Sequence, residues 1–312
     1  MRAARPLHFA VAVSGGLDSI ALLHCARAAA ARLALQPIAF HVHHGLMAQA
    51  DEWAEQVQAQ CRRWRVPFAL ALLGSRPARG DSVEAWARRH RYAALAHLAH
   101  EHSLDLVLLA HHRRDQAETF LIQALRGGGA AGLAAMPRCV QRDGIVWARP
   151  WLDQPREAIA AYARRHRLRH VEDPSNTDRR FARGRLRDGL WSALHAAFPD
   201  AETTLARAAQ RAAEDAALVA EVAGRDVARL RDAGGRLAVD RWLALSEARR
   251  RAALRAWLGG AMADPVPDTL VRRLMLELPA TRHARWPAGR ATLVLRRGLL
   301  GLEATGSASL EP

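Results

Sequence analysis

Over the first half of the chain, short apolar runs take turns with longer stretches of helical spacing. Residues 7–13 (LHFAVAV), 37–44 (PIAFHVHH), 67–73 (PFALALL) and 104–110 (LDLVLLA) read as strands, and 145–151 as a fifth. Residues 18–33, 50–64, a stretch starting at Asp81 or Ser82, and 116–125 read as helices. In the third of these, Trp86, Tyr92, Leu95 and Leu98 recur at near-helical spacing. Strands this apolar are buried on both faces, so the alternation predicts an α/β fold with a Rossmann-like parallel five-stranded sheet. Ligands of such sheets collect at the carboxyl ends of the strands. The polar clusters 14–19, 41–44 and 111–115 all fall at those ends.

Past residue 151 the strand signal fades. Residues 158–167 are helical in pattern, 173–178 (DPSNTD) form a loop, and Phe198-Pro199-Asp200 marks a break. Asp200 caps a long helix with Leu205, Ala212, Ala216, Val219, Ala223 and Leu230 on one face, ending at Gly234-Gly235. Shorter helices follow near 247–258 and 267–278, and 292–302 alternates weakly, as a small hairpin would. This predicts a catalytic domain over 1–199, a smaller, mainly helical domain over 200–305 and a disordered tail over 306–312.

Charge changes the picture more than composition does. Half of the 312 residues are hydrophobic, which excludes wholesale disorder, yet the net charge is +15 and every basic residue is arginine. Such an excess suits a polyanionic partner, of which nucleic acid is the usual one. Cys25, Cys61 and Cys139 are odd in number and widely spaced, and suggest neither a zinc knuckle nor a disulfide framework. No long uncharged apolar run and no leader pattern stand out, so a cytoplasmic protein without membrane contact is expected.

The chemistry centres on Ser14-Gly15-Gly16-Leu17-Asp18-Ser19, between the first strand and the first helix. Two glycines allow a tight turn and close approach of a ligand. The N–H groups that open the helix then face an anion, with the Ser14 and Ser19 hydroxyls beside them. A carboxylate at Asp18 would repel phosphate unless a divalent cation, naturally magnesium, lies between. The segment is not a Walker loop, which needs a lysine this chain does not have. Histidines 41, 43 and 44 do not make a zinc site, because neighbours on a strand point to opposite faces.

SGGLDS resembles the pyrophosphate loop of the N-type ATP pyrophosphatases. Further segments are similar to those of the tRNA(Ile)-lysidine synthases: His41-Val42-His43-His44-Gly45-Leu46; Glu84-Ala85-Trp86-Ala87-Arg88 with Arg91-Tyr92; Ala110-His111-His112-Arg113-Arg114-Asp115-Gln116-Ala117-Glu118-Thr119; the glycine-rich 126–136; Arg149-Pro150; and Glu172-Asp173-Pro174-Ser175-Asn176. The resemblance covers residues 8–187 closely and the remainder loosely. It implies a ligase that adenylates the C2 oxygen of the wobble cytidine of a CAU-anticodon isoleucine tRNA with ATP. L-Lysine then displaces AMP at C2.

On that reading Ser14, Gly15, Gly16, Leu17, Asp18, Ser19, His41, His43 and His111 bind ATP and its pyrophosphate. Asp18 and Asp115 are the catalytic and magnesium-holding acids, with Glu118 the weaker alternative. His111 and His112 either steady phosphate or ribose or are satisfied polar residues. Arg88 is either an ion-pair partner of Glu84, one turn away, or a tRNA or phosphate contact, and Arg149 divides in the same way. Arg183, Arg185 and Arg187, with the rest of the arginine-rich 164–187, suit the tRNA backbone. A homodimer is left open.

The match departs in places. Arg114 stands where the family has a first acid, Met47 where it has arginine, and Gly184 and Asp188 where it has asparagine and histidine. Many members carry a further C-terminal domain, so tRNA selection here is expected to rest on 200–302 and the basic surface. The rivals are a tRNA cytidine 2-thiolase, which needs cysteines this chain does not space suitably, and a non-catalytic nucleotide- or RNA-binding paralogue.

Overall fold

A computed structural model describes residues 7–45, 49–74, 83–171, 178–262, 266–289 and 291–304. Leu46, Met47, the cap at Asp81 or Ser82, the 172–176 segment and the 306–312 tail lie outside the described residues. The chain divides into two compact units, 1–213 and 214–312.

In the first unit, β1 (Leu7–Ala12), α1 (Leu17–Arg32), β2 (Leu35–His43), α2 (Ala50–Trp64), β3 (Phe68–Leu72), α3 (Val83–Glu101), β4 (Leu106–Leu108) and α4 (Arg113–Leu125) alternate as expected. A short α5 (Ala130–Leu133), β5 (Cys139–Arg142), β6 (Ile145–Ala148), α6 (Arg156–Arg165), α7 (Ala182–Arg185), a π-helical turn (Leu186–Leu190) and α8 (Trp191–Ala197) complete it. The strand order is β3-β2-β1-β4-β6-β5. The five expected strands are all present and mutually parallel. The sheet has a sixth strand, because β5 pairs antiparallel with β6 at the edge. Asp143 and Gly144 both have positive φ in the connecting turn, the conformation Asp-Gly favours in a two-residue hairpin.

Both faces of the sheet are packed. Val11, Val13, Ile20 and Leu23 bury one side with Val57 and Cys61 of α2, while Ala10, Phe40 and Val107 bury the other with Leu95 and Leu98 of α3. β1 lies between β2 and β4, so chain direction across the sheet reverses there. The loops after β1 and β4 therefore meet at one crevice.

α9 (Ala201–Leu230) is one continuous helix, and the division between the units falls inside it, beyond the Phe198-Pro199-Asp200 break. The reason is a change of partner along the helix. Leu205 packs on Ala117, Leu186 and Trp191 of the first unit, whereas Val227 and Leu230 enter the core of the second. Val219, expected on the apolar face, is instead exposed with Leu218 in mid-helix.

The second unit holds β7 (Leu237–Ala238), α10 (Val239–Leu243), α11 (Glu247–Ala261), α12 (Asp268–Glu277), β8 (Ala284–Ala288), β9 (Ala291–Arg296) and β10 (Leu299–Ala304). The expected hairpin is β9–β10, closed at Arg297 and Gly298, both at positive φ. It belongs to a four-stranded antiparallel sheet ordered β7-β10-β9-β8. Pro287 obscures β8 in the sequence and is tolerated because β8 is an edge strand. Trp242, Trp257 and Trp286 fill the core between this sheet and the helices. Among the described residues no helix is long and apolar enough to cross a membrane.

Candidate active site

The turn after β1 is built by its own residues. Gly15 has φ +93°, which favours glycine, and a Cβ there would also press on Val57 Cγ2 at 3.2 Å. The Ser14 amide and hydroxyl both lie 3.2 Å from Ser19 Oγ, and Ser19 Oγ donates to the Gly16 carbonyl at 2.9 Å. Gly16 is extended and caps α1, which leaves the helix-opening N–H groups facing the crevice. The Gly15 carbonyl accepts from Val171 N–H at 2.9 Å.

Asp18 sits in the first turn of α1. Its Oδ2 lies 3.7 Å from His112 Nε2, while Oδ1 is buried with no hydrogen-bond partner. A buried carboxylate oxygen left bare is costly unless a cation fills the position. That donor chemistry fits magnesium, which binds through one or two carboxylates together with phosphate oxygens.

His112 and Asp115 follow β4 and start α4. Asp115, at the third helical position, accepts the His112 backbone N–H at 3.1 Å, which satisfies a helix-opening donor. His112 Nε2 is also 3.5 Å from Asp115 Oδ2, so this buried imidazole bridges the two acids. Burial works against its charge, but Asp18 and Asp115 outweigh that and raise its pKa. Burial pushes the Asp115 carboxyl up, yet His112, Arg183 and Arg187 together hold it below the usual range. His111 is different. Burial drives its pKa down to about 3 against the pull of Asp115, with Arg149 and Arg91 adding to the fall, so it is a neutral ring.

Glu118, one turn beyond Asp115, is fully buried. Arg187 grips it through two bonds, Nε to Oε1 at 2.7 Å and Nη2 to Oε2 at 2.8 Å, and also reaches Asp115 Oδ1 at 3.0 Å. Arg183, one helical turn earlier, lies 3.4 Å from Glu118 and donates to Thr119 Oγ1 at 2.9 Å. Arg114, in the place of the family's acid, is 3.7 Å from Glu118 and stacks on Trp191 at 4.7 Å. Three guanidinium groups thus surround one carboxylate.

The remaining expected residues separate. Arg185, two residues from both Arg183 and Arg187, turns away to the Arg179 and Arg180 carbonyls. A Cβ at Gly184 would sit 1.9 Å from the Asp178 carbonyl, which explains glycine there. Asp188 pairs with Arg179. His41 is buried, donates from Nδ1 to the Val13 carbonyl at 2.7 Å and lies against Phe68, so its ring supports the strand that carries the loop. His43 approaches Asp51 at 3.1 Å. Arg88 lies over the Tyr92 ring rather than paired with Glu84 among the described residues. Arg149 is buried and donates to the Pro137 carbonyl at 2.8 Å and to Tyr92 Oη at 3.3 Å. The bridging role of His112 was not foreseen, nor were the cations around Glu118. The spacing 115, 118, 119 on one helix against 183 and 187 on another was the available signal.

A family model described as a PP-loop domain matches residues 3–194. The chain is 43% identical to a tRNA(Ile)-lysidine synthase of Bordetella pertussis over 311 residues, covering 96% of each. It is 45% identical to one of Ralstonia nicotianae, covering 97% of this chain and 66% of that protein. Among solved structures, a U34-tRNA thiolase from Methanococcus maripaludis, with its [4Fe-4S] cluster, is similar over 66% of this chain and 71% of its own, with TM-score 0.58 and 16% identity. That likeness is one of fold alone. With a glycine turn, a bare acid and an arginine-ringed pair of carboxylates gathered at the switch point, and with this identity over nearly its whole length, the chain belongs to the PP-loop family of tRNA(Ile)-lysidine synthases.

Proposed function

We propose that this chain uses ATP to ligate L-lysine to C2 of the wobble cytidine of a CAU-anticodon isoleucine tRNA. The observation that carries the reading is Asp18 Oδ1, buried and unpartnered beside a helix-opening anion cradle. The cytidine O2 attacks the α-phosphorus of ATP and pyrophosphate leaves. An amine of lysine then attacks C2, the C2–O bond breaks, and AMP departs with the oxygen.

The N–H groups at the start of α1, with Ser14 and Ser19, hold the pyrophosphate. Asp18 holds magnesium, which when bound neutralises phosphate charge. Asp115, kept ionised by its cations, serves as a fixed anion near the metal or the lysine ammonium. Arg183 and Arg187, which lie beside Asp115, supply cations for that phosphate charge.

The test is incubation with magnesium ATP, labelled lysine and CAU-anticodon isoleucine tRNA. Stoichiometric release of AMP and pyrophosphate with lysine bound to tRNA is expected. Thiolation with a sulfur donor, or tRNA binding without turnover, would overturn the reading.

A further inference from the structure

Away from the crevice, arginines gather at one place with no ion-pair partner among the described residues. Residues 56–80 and 158–171 contain no aspartate or glutamate. Arg62, Arg63 and Arg65 end α2, and Arg164, Arg165 and Arg167 end α6; all six are exposed, and none has an ion-pair partner among the described residues. His24 of α1 joins the two ends. Its ring is 5.2 Å from that of Trp64 and 4.9 Å from that of His166, and its Nδ1 is 2.8 Å from Tyr162 Oη. The Tyr162 and His166 rings are 4.4 Å apart. Two arginine triplets thus flank a shelf of four rings.

Helix C-termini attract cations, which accounts for some of this charge. Two such ends carry roughly −1 between them, against six guanidinium groups. Among the described residues most of this positive charge meets no carboxylate, and it is open to an outside partner. All four rings carry a hydrogen-bonding group, which suits bases and riboses better than lipid chains. Position supports a long ligand. Arg65 leads directly into β3, so the shelf lies beside strand beginnings, while the 14–19 loop follows a strand end. His24 is already about 12 Å along α1 from Gly16 at helical rise. Six cations spread beyond that point match a run of phosphates and not one small anion.

The geometry points to this shelf as a second RNA-contact surface, where the ribose–phosphate backbone of the tRNA lies across the ends of α2 and α6 while its anticodon reaches the crevice. The inference rests on the tRNA reading above. It is tested with Arg62→Gln/Arg63→Gln/Arg164→Gln/Arg165→Gln, which keeps helix-forming side chains. The tRNA Kd should rise at least about tenfold, and the slope of log K against log salt should fall by about 3, at roughly 0.7–0.9 per phosphate contact. ATP affinity should not change. An unchanged Kd and slope in a folded variant would overturn the shelf.

Should that variant not fold, the unmodified chain decides. Bound tRNA should protect these four arginines from phenylglyoxal severalfold, read by mass spectrometry, and equal modification overturns the shelf. Retention on phosphatidylglycerol vesicles without such protection would assign the surface to a membrane and overturn it too. Lysine transfer by the unmodified chain is measured separately. If transfer fails while tRNA protects the shelf, the shelf stands and the ligase reading falls.

Discussion

Each unit of the chain buries carboxylate charge against arginine, and the two do it differently. In the second unit Asp226 is buried and Arg249 of α11 grips both of its oxygens. The charges balance one to one, and the Asp226 carboxyl lies low because Arg249 hydrogen-bonds it. In the first unit Glu118 meets Arg187, Arg183 and Arg114 together. Asp115 shares two of these cations, and His112 ties Asp115 to Asp18. A balanced pair finishes a fold. A knot in which cations crowd the acids, beside an acid with a bare oxygen, is arranged for charge that arrives from outside.

The comparison can be broken most directly at Asp18. Asp18→Asn should lower lysine transfer by about 10²–10³-fold or more, the cost of removing one electrostatic contact in such sites, with little change in thermal midpoint. Retained transfer would remove Asp18 from the mechanism.

Next comes Arg187→Ala. Uncovering two buried carboxylates should cost about 3–5 kcal/mol, read by urea denaturation, along with activity. The matching Arg249→Ala should cost less, because it uncovers one buried carboxylate instead of two. Equal losses would mean that the two ion pairs do the same job.

Gly184→Ala should loosen α7 from Asp178 and raise the KM for ATP or tRNA several-fold more than it lowers kcat. An unchanged KM would detach that helix from the site.

The smallest effect is in pH. Asp115 and Asp226 both have lowered folded pKa values, so both lend stability that is present above the ordinary aspartate value and lost as pH falls through the folded one. His112 has a raised value, so its contribution is full below about 6.5 and lost as pH rises through its folded pKa. The first unit should therefore lose some stability on the alkaline side as well, and His112→Asn should abolish that limb. A limb that persists in the variant would assign it to another group.

Much of this was legible in the residues alone. The five parallel strands, the loop after the first and the acids after the fourth follow from local apolar runs and glycine chemistry, which operate over a few residues. The β5–β6 hairpin was also readable, from Asp143-Gly144, although it was not among the expected elements.

What linear order did not disclose needed two distant segments in contact. Arg183 and Arg187 reach Asp115 and Glu118 across more than 60 residues, while Arg185 between them does not. Identical side chains differ there only by which way a helical turn points them. The same holds for the burial of His41, the exposure of Val219 and the neutral state of His111. Local propensity acts along the chain and is written in it. Burial and the pairing of charges depend on what folding brings alongside, and no short stretch of residues contains its own neighbours.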